Sequence, residues 1–166
     1  IEIHRYRKAS RVIETTWKLF PHPDLIKIYK EIYKKEKPNK IQTRIVSLAS
    51  TGLEENTEVK LALAEANYLL GRIDRAFEIL QTVVDVYLDH RAVALMAKIE
   101  ESRNGPVSAR QWIEKLDQAS DPSWYCTICA RSHLSWITHC DGCGDFDTLR
   151  WTHSILGDPA ALSINS

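Results

Sequence analysis

Two Cys-x-x-Cys pairs set the strongest constraint on this chain. Cys126 and Cys129 form the first pair, Cys140 and Cys143 the second, and ten residues separate them. The 166 residues hold no other cysteine. A Cys-x-x-Cys turn lets two sulfurs bite one ion. Two such turns at this separation supply the four soft donors of a closed tetrahedral shell. Cys126, Cys129, Cys140 and Cys143 are therefore the expected metal ligands, with zinc as the metal and iron as the alternative. Gly144 follows the last cysteine and suits the left-handed turn that such a knuckle needs. Ala130 stands at the equivalent place after the first pair, which reads as a less ideal knuckle.

Other uses of four cysteines fit less well. Two disulfides belong to an oxidising compartment, whereas close cysteine pairs beside a helical array fit a reducing one. A thioredoxin-like site uses a single Cys-x-x-Cys within a βαβ unit. His133 and His139 lie between the pairs, but four correctly spaced cysteines leave them as expected non-ligands. A four-thiolate shell has no open position for substrate, so catalysis at the metal is not expected. Trp136-Ile137 and Leu149-Arg150-Trp151 read as short strands of a three-stranded ribbon, with Trp124, Trp136 and Trp151 as its core. A ribbon this small cannot fold on its own apolar contacts, so metal binding would supply its folding energy.

The chain before Asp121 reads as helix. Val12, Ile13, Thr16, Trp17 and Phe20 fall on one helical face over residues 11–20. Pro21 and Pro23 break that helix. A second follows with Leu25, Ile28, Tyr29, Ile32 and Tyr33 on one stripe. Pro38-Asn39 ends it, and a third helix carries Ile41, Ile45 and Leu48 towards Gly52. Leu63, Ala66 and Leu70 line the next helix, capped by Asn56 or Thr57. Ile73, Ala76, Phe77, Leu80, Val83, Val84 and Tyr87 line the one after. Residues 91–103 place Val93, Met96 and Ala97 inward. Ala109, Trp112, Ile113 and Leu116 follow Pro106. This makes about seven helices joined by short loops.

Gly71 and Gly105 stand 34 residues apart, each where a helix ends. Ala64, Gly71, Ala76 and Leu80 fall at the offsets of a tetratricopeptide repeat, whose small residues let two antiparallel helices approach closely. Asn67 replaces the usual aromatic of the first helix and Leu88 the usual terminal proline. The expected fold class is thus mainly α: a tetratricopeptide-like helical-hairpin array over residues 1–120, a zinc-ribbon or rubredoxin-like knuckle over 121–152, and a polar tail over 153–166.

Charge is unevenly spread although the total is zero. Residues 1–44 carry 12 Lys and Arg against five Asp and Glu, while residues 121–166 carry two against five. The acidic knuckle argues against nucleic acid as a partner despite its tryptophans. The basic first third reads first as a solvated lysine-rich surface and second as a face towards something acidic. No apolar run approaches the length of a membrane span. The chain starts with Ile rather than Met, which reads as a fragment.

Several motifs together resemble the C-terminal part of the HemY-like tetratricopeptide-repeat proteins of bacteria. They are Pro21-His22-Pro23-Asp24-Leu25, Leu61-Ala62-Leu63-Ala64-Glu65-Ala66, and Leu95 to Glu101. Arg110-Gln111-Trp112-Ile113, Asp121-Pro122-Ser123-Trp124, and the cysteine pairs running into Phe146 to Trp151 complete the set. The resemblance spans about residues 10–152. It implies a repeat domain on the cytoplasmic face of the bacterial inner membrane, held by an N-terminal anchor missing from this chain. It also implies a link to haem biosynthesis without an established chemical activity. The layout is similar, too, to lipopolysaccharide-assembly adaptor proteins, which act by protein contacts. A flavin-dependent porphyrinogen oxidase shares the HemY name, but the chain has no Gly-x-Gly-x-x-Gly loop.

The expectation is a non-catalytic scaffold that holds a protein partner in its repeat groove, with Asn67 among the candidate contacts. An iron-loaded, rubredoxin-like electron-transfer module is one alternative. Direct haem or porphyrin binding through His22, Tyr29 and Tyr33 is another.

Overall fold

A computed structural model describes residues 2–50 and 55–153 of the chain. The tail expected beyond His153, and the third helix's approach to Gly52, lie outside the described residues. Among the described residues seven α-helices come first: α1 Glu2–Leu19, α2 Pro23–Ile32, α3 Pro38–Ala49, α4 Thr57–Leu69, α5 Ile73–Val84, α6 His90–Asn104 and α7 Pro106–Ile113. A single 3-10 turn, Leu116–Gln118, leads to three short strands: β1 Ser123–Cys126, β2 Ser132–His133 and β3 Leu149–Thr152. The chain divides into two compact units, one ending at Ala119 and the other beginning at Ser120.

The helix boundaries follow local chemistry. Pro23, Pro38 and Pro106 open α2, α3 and α7, where the missing N–H would have had no partner in any case. Asn56 caps α4: its Oδ1 accepts from the N–H of Glu58 at 2.9 Å and of Val59 at 3.3 Å. Asp89 caps α6 in the same way, accepting from Arg91 N–H at 2.7 Å. Gly71 has φ +75° in the turn between α4 and α5, and Gly105 has φ +85° between α6 and α7. Both turns therefore use backbone that glycine adopts without strain.

Two apolar clusters hold the helical unit together. The first gathers Ile13 and Trp17 of α1, Ile26 and Tyr29 of α2, Ile45 and Leu48 of α3, and Val59, Ala62 and Ala66 of α4. The second gathers Leu61 and Ala64 of α4, Ala76, Leu80 and Val83 of α5, and Ala92, Met96 and Ile99 of α6. The helix α4 serves both clusters from different faces, with Val59, Ala62 and Ala66 on one and Leu61 and Ala64 on the other. The fully buried alanines Ala64, Ala76 and Ala92 let neighbouring helices come close without leaving voids.

A charged cluster ties the start of α4 to the start of α6. The Arg91 guanidinium reaches Glu58 through two hydrogen bonds of 2.8 and 2.9 Å and Asp89 through bonds of 2.6 and 3.1 Å. Asp89 is fully buried and Glu58 nearly so. Burial alone would lower the pKa of Arg91, but its bonds to Asp89 and Glu58 raise it. The group is charged, planar and bidentate, which suits an arginine to this place.

Some expected faces are corrected by packing. The helix α1 begins at Glu2, well before residue 11; Ile3 and Tyr6 continue the spacing of Ile13 and Trp17 back through its first turns. Ile13 and Trp17 are buried, but Val12 and Phe20 are exposed. In α2, Ile26 and Tyr29 are buried while Ile28 is exposed. Ile113 at the end of α7 is also exposed. Among the described residues no helix is long and apolar enough to cross a membrane.

In the second unit, β1 is the central strand, antiparallel to both β2 and β3. The expected strand at Trp136-Ile137 is absent, and Ser132–His133 takes its place. Trp124 and Trp151 stand opposite each other across β1 and β3 and pack edge to face at 5.6 Å. Trp136 is 46% exposed, so it is not part of the core expected for it.

Candidate metal centre

All four cysteines converge. One sulfur from each of Cys126, Cys129, Cys140 and Cys143 lies within 4.8 Å of the others. Cys126 Sγ is 3.6 Å from Cys143 Sγ, and Cys129 Sγ is 3.6 Å from Cys140 Sγ. These pairs join the two Cys-x-x-Cys turns rather than closing within either one. All four are free thiols. A tetrahedral shell with metal–sulfur bonds of about 2.3 Å has edges of about 3.8 Å between sulfurs. The observed spacing is close to that edge and far from the roughly 2.05 Å of a disulfide. The four cysteines can therefore bind a metal ion.

The two turns are built alike. Ala130 N–H donates to the Cys126 carbonyl at 2.9 Å, and Gly144 N–H donates to the Cys140 carbonyl at 2.8 Å. Ala130 has φ +57° and Gly144 φ +78°, so both turns close through a left-handed residue. The first knuckle holds this shape without glycine. Within each turn a backbone N–H points at the first sulfur: Ile128 to Cys126 at 3.4 Å and Gly142 to Cys140 at 3.3 Å. Such N–H groups stabilise negative charge on sulfur.

The site has a buried side and an open side. Cys126 and Cys140 are buried, whereas Cys129 and Cys143 are exposed. Gly142 lies tight against the cluster. A Cβ there would stand 3.2 Å from Cys129 Sγ and 2.8 Å from Arg131 Nε.

The thiols do not titrate alike. Burial pushes Cys126 up, but the Thr148 hydroxyl and the N–H groups of Cys129 and Ile128 outweigh it and bring the group down to about 6. For Cys143 the Asp145 N–H favours the thiolate, yet the Asp145 side chain, burial and the Cys126 and Cys140 sulfurs push it well up. Cys129 is also raised: the Arg131 N–H lowers it, but burial and the neighbouring sulfurs prevail. Negative charges on neighbouring sulfurs repel, and a cation between them offsets that repulsion.

His133 sits against this cluster. Its side chain is 6% exposed, its Nε2 lies 3.5 Å from Cys140 Sγ, and its Nδ1 lies 3.5 Å from Asp141 Oδ1. Sequence spacing gave no reason to single it out once four cysteines filled the shell. His139 stands apart from the sulfurs, exposed and packed on Phe146 at 5.2 Å.

The other candidate residues have structural surroundings. Asn67 is 4% exposed and donates to the Leu63 carbonyl at 2.8 Å, so it is no surface contact. Tyr29 is buried and pushed up to about 12 by burial, Tyr33 and Glu14. It packs edge to face on Tyr33 at 5.0 Å. Tyr33 in turn carries the Arg44 guanidinium over its ring at 4.3 Å. His22 Nδ1 caps α2, accepting from Asp24 N–H at 3.2 Å. His22 thus caps a helix, Tyr29 lies in the core, and Tyr33 packs against it.

Comparison with known proteins adds little to this geometry. No family model matches the chain, and no solved structure matches it. Over 161 residues, 95% of its length, the chain is 26% identical to a probable magnetosome protein, Mms48, of Magnetospirillum gryphiswaldense. It spans 36% of the length of that relative.

Proposed function

We propose that the chain is a non-catalytic interaction scaffold: a tetratricopeptide-like helical array followed by a zinc ribbon whose four thiolates hold a structural ion. The observation that carries the metal assignment is the spacing of the sulfurs, 3.6 Å between partners on opposite turns. Zinc is preferred because it takes a closed tetrahedral thiolate shell and asks for no redox partner. A shell filled by four cysteines leaves no site for substrate, so the ion acts as a clasp for the ribbon.

The array reading is supported by two left-handed glycines, Gly71 and Gly105, that turn consecutive helix pairs at the repeat period. Tight Ala64, Ala76 and Leu80 contacts between α4 and α5 support it too. A scaffold needs a surface that a partner can cover. Ile128, Leu134, Trp136 and Phe146 of the second unit are exposed, and exposed apolar side chains of this size suit protein contact.

The resemblance to HemY-like repeat proteins, a place at the cytoplasmic face of the bacterial inner membrane and a link to haem biosynthesis belong to the same proposal. A magnetosome association, by analogy with the distant relative, is a further element of it that fractionation of host cells would test. Elemental analysis of protein purified without added metal tests the central reading. One zinc per chain, a colourless solution and loss of that zinc in Cys143→Ser are expected. Iron with a visible absorption spectrum would replace the scaffold with an electron-transfer reading, and no bound metal would refute both.

A further inference from the structure

Among the described residues, a second group of possible ligands touches the four-sulfur cluster: His133, Cys140 and Asp141. Its geometry is not that of a second metal site. The two nitrogens of His133 face different neighbours, Nε2 towards Cys140 Sγ and Nδ1 towards Asp141 Oδ1, each at 3.5 Å. They lie on different edges of the ring, so one ion cannot take a His133 nitrogen while sitting centrally between both partners. The order carboxylate, imidazole, sulfur is instead that of an outer-shell relay.

On the reading of a four-thiolate centre, we propose that His133 is a positioning residue of the loaded site. Its Nε2–H donates a hydrogen bond to the Cys140 thiolate, and Asp141 holds the opposite edge of the ring. Three observations carry this. The ring is nearly fully buried, so water does not compete for the sulfur and the bond is strengthened. The backbone beneath the ring is fixed: His133 pairs with Trp124 in the sheet, and its carbonyl accepts from Ser123 Oγ at 2.8 Å. The other buried sulfur has a matching partner, with Thr148 Oγ1 3.2 Å from Cys126 Sγ. Each buried cysteine thus has backbone N–H contact from its own turn and one polar side chain beside it from outside that turn.

The consequence is electronic as well as geometric. Four thiolates around a divalent ion carry a net double negative charge. A hydrogen bond draws charge from one sulfur, reduces repulsion within the shell and locks that sulfur's direction. Loss of such an outer partner weakens metal affinity about ten- to a hundredfold. A sulfur without it is also the better electron donor, which moves sulfur-to-metal charge-transfer bands to longer wavelength.

The test uses the full chain, cobalt(II) as the probe ion, and two variants. His133→Phe keeps a ring of similar shape without a donor. His133→Gln places an amide N–H near the position of Nε2. For His133→Phe, cobalt dissociation about ten- to a hundredfold weaker and charge-transfer bands at longer wavelength are expected. His133→Gln is expected to return both towards wild type. Far-ultraviolet circular dichroism tracks the helices in every sample. If His133→Phe cannot form its ribbon even at saturating cobalt, His133→Gln decides: wild-type affinity and bands uphold the proposal, and their loss overturns it. The proposal is also overturned if His133→Phe matches wild type in affinity and spectrum. It falls too if His133→Gln is as damaged as His133→Phe, since packing alone then explains the residue. A wild-type chain with no tetrahedral thiolate spectrum in cobalt would remove the four-thiolate reading itself. Wild-type binding with an indifferent His133→Phe would remove this inference alone.

Discussion

Gly142→Ala probes the metal centre with a single methyl group. The added Cβ would stand 3.2 Å from Cys129 Sγ, 2.8 Å from Arg131 Nε and 3.1 Å from Arg131 Cδ. Arg131 is about half exposed and can swing away at little cost. Cys129 cannot, because its sulfur is held 3.6 Å from Cys140 Sγ and a metal shell tolerates only about 0.2 Å of error. Relieving the contact needs a few tenths of an ångström, so the shell must distort. Overpacking of this kind costs about 1–3 kcal/mol. Replacing glycine stiffens the unfolded chain and returns about 0.4–1 kcal/mol. The net loss is about 1–2 kcal/mol, or about 5- to 30-fold in the metal dissociation constant. Cobalt(II) competition against a chromophoric chelator measures it on the full chain. Gly144→Ala is the control: its Cβ meets nothing within 4 Å, but φ is +78°, so it strains the turn without touching a sulfur. Distorted cobalt bands are expected in Gly142→Ala and not in Gly144→Ala. Unchanged affinity and spectrum in Gly142→Ala would refute the reasoning.

Three further perturbations test other parts of the chain. Ala130→Gly removes a left-handed alanine, φ +57°, whose strain of about 1–2 kcal/mol exceeds the added unfolded-state freedom of glycine. Metal affinity should rise by about two- to threefold, a net gain of about 0.5 kcal/mol, and a fall in the chelator competition assay contradicts the symmetry of the two knuckles. Arg91→Met takes the guanidinium from Glu58 and Asp89 and should cost about 3 kcal/mol, the lower end for a buried pair because Arg91 itself is partly exposed; urea unfolding followed by circular dichroism reads it, and a loss under 1 kcal/mol contradicts the role given to this cluster. His22 is lowered from its usual 6.5, chiefly by burial. Its capping stability is therefore present above pH 6.5 and lost as pH falls through the lower folded value. His22→Asn keeps a cap without titrating, so the urea midpoint should change less between pH 7.5 and about pH 5 than in wild type.

The helices were legible because their signals are local. Pro23, Pro38 and Pro106 mark starts, Gly71 and Gly105 mark ends, and apolar spacing marks the buried side. Where the stripe was ambiguous, packing chose. Ile26 rather than Ile28 turned inward in α2, since only contact with α1 and α4 decides which face is covered. In the first turns of α1 only Ile3 and Tyr6 carry the spacing, among charged neighbours. The salt-bridge cluster of Arg91, Glu58 and Asp89 joins positions 33 residues apart, and no local pattern announces such a pairing.

At the candidate site the balance is similar. Four cysteines in two Cys-x-x-Cys pairs announce soft-metal chemistry by composition and spacing alone, because the knuckle is a local turn. Which sulfurs are buried, that the close pairs run between turns, and that β2 forms at Ser132–His133 instead of Trp136-Ile137 were settled by the three-stranded sheet. His133 shows the difference most clearly. Six residues lie between it and Cys140, and nothing in that interval predicts contact. Pairing of β2 with β1 carries the ring to the sulfur. The sequence by itself determined which donors were available; the tertiary structure decided their distances and burial, on which the chemistry of a metal centre depends.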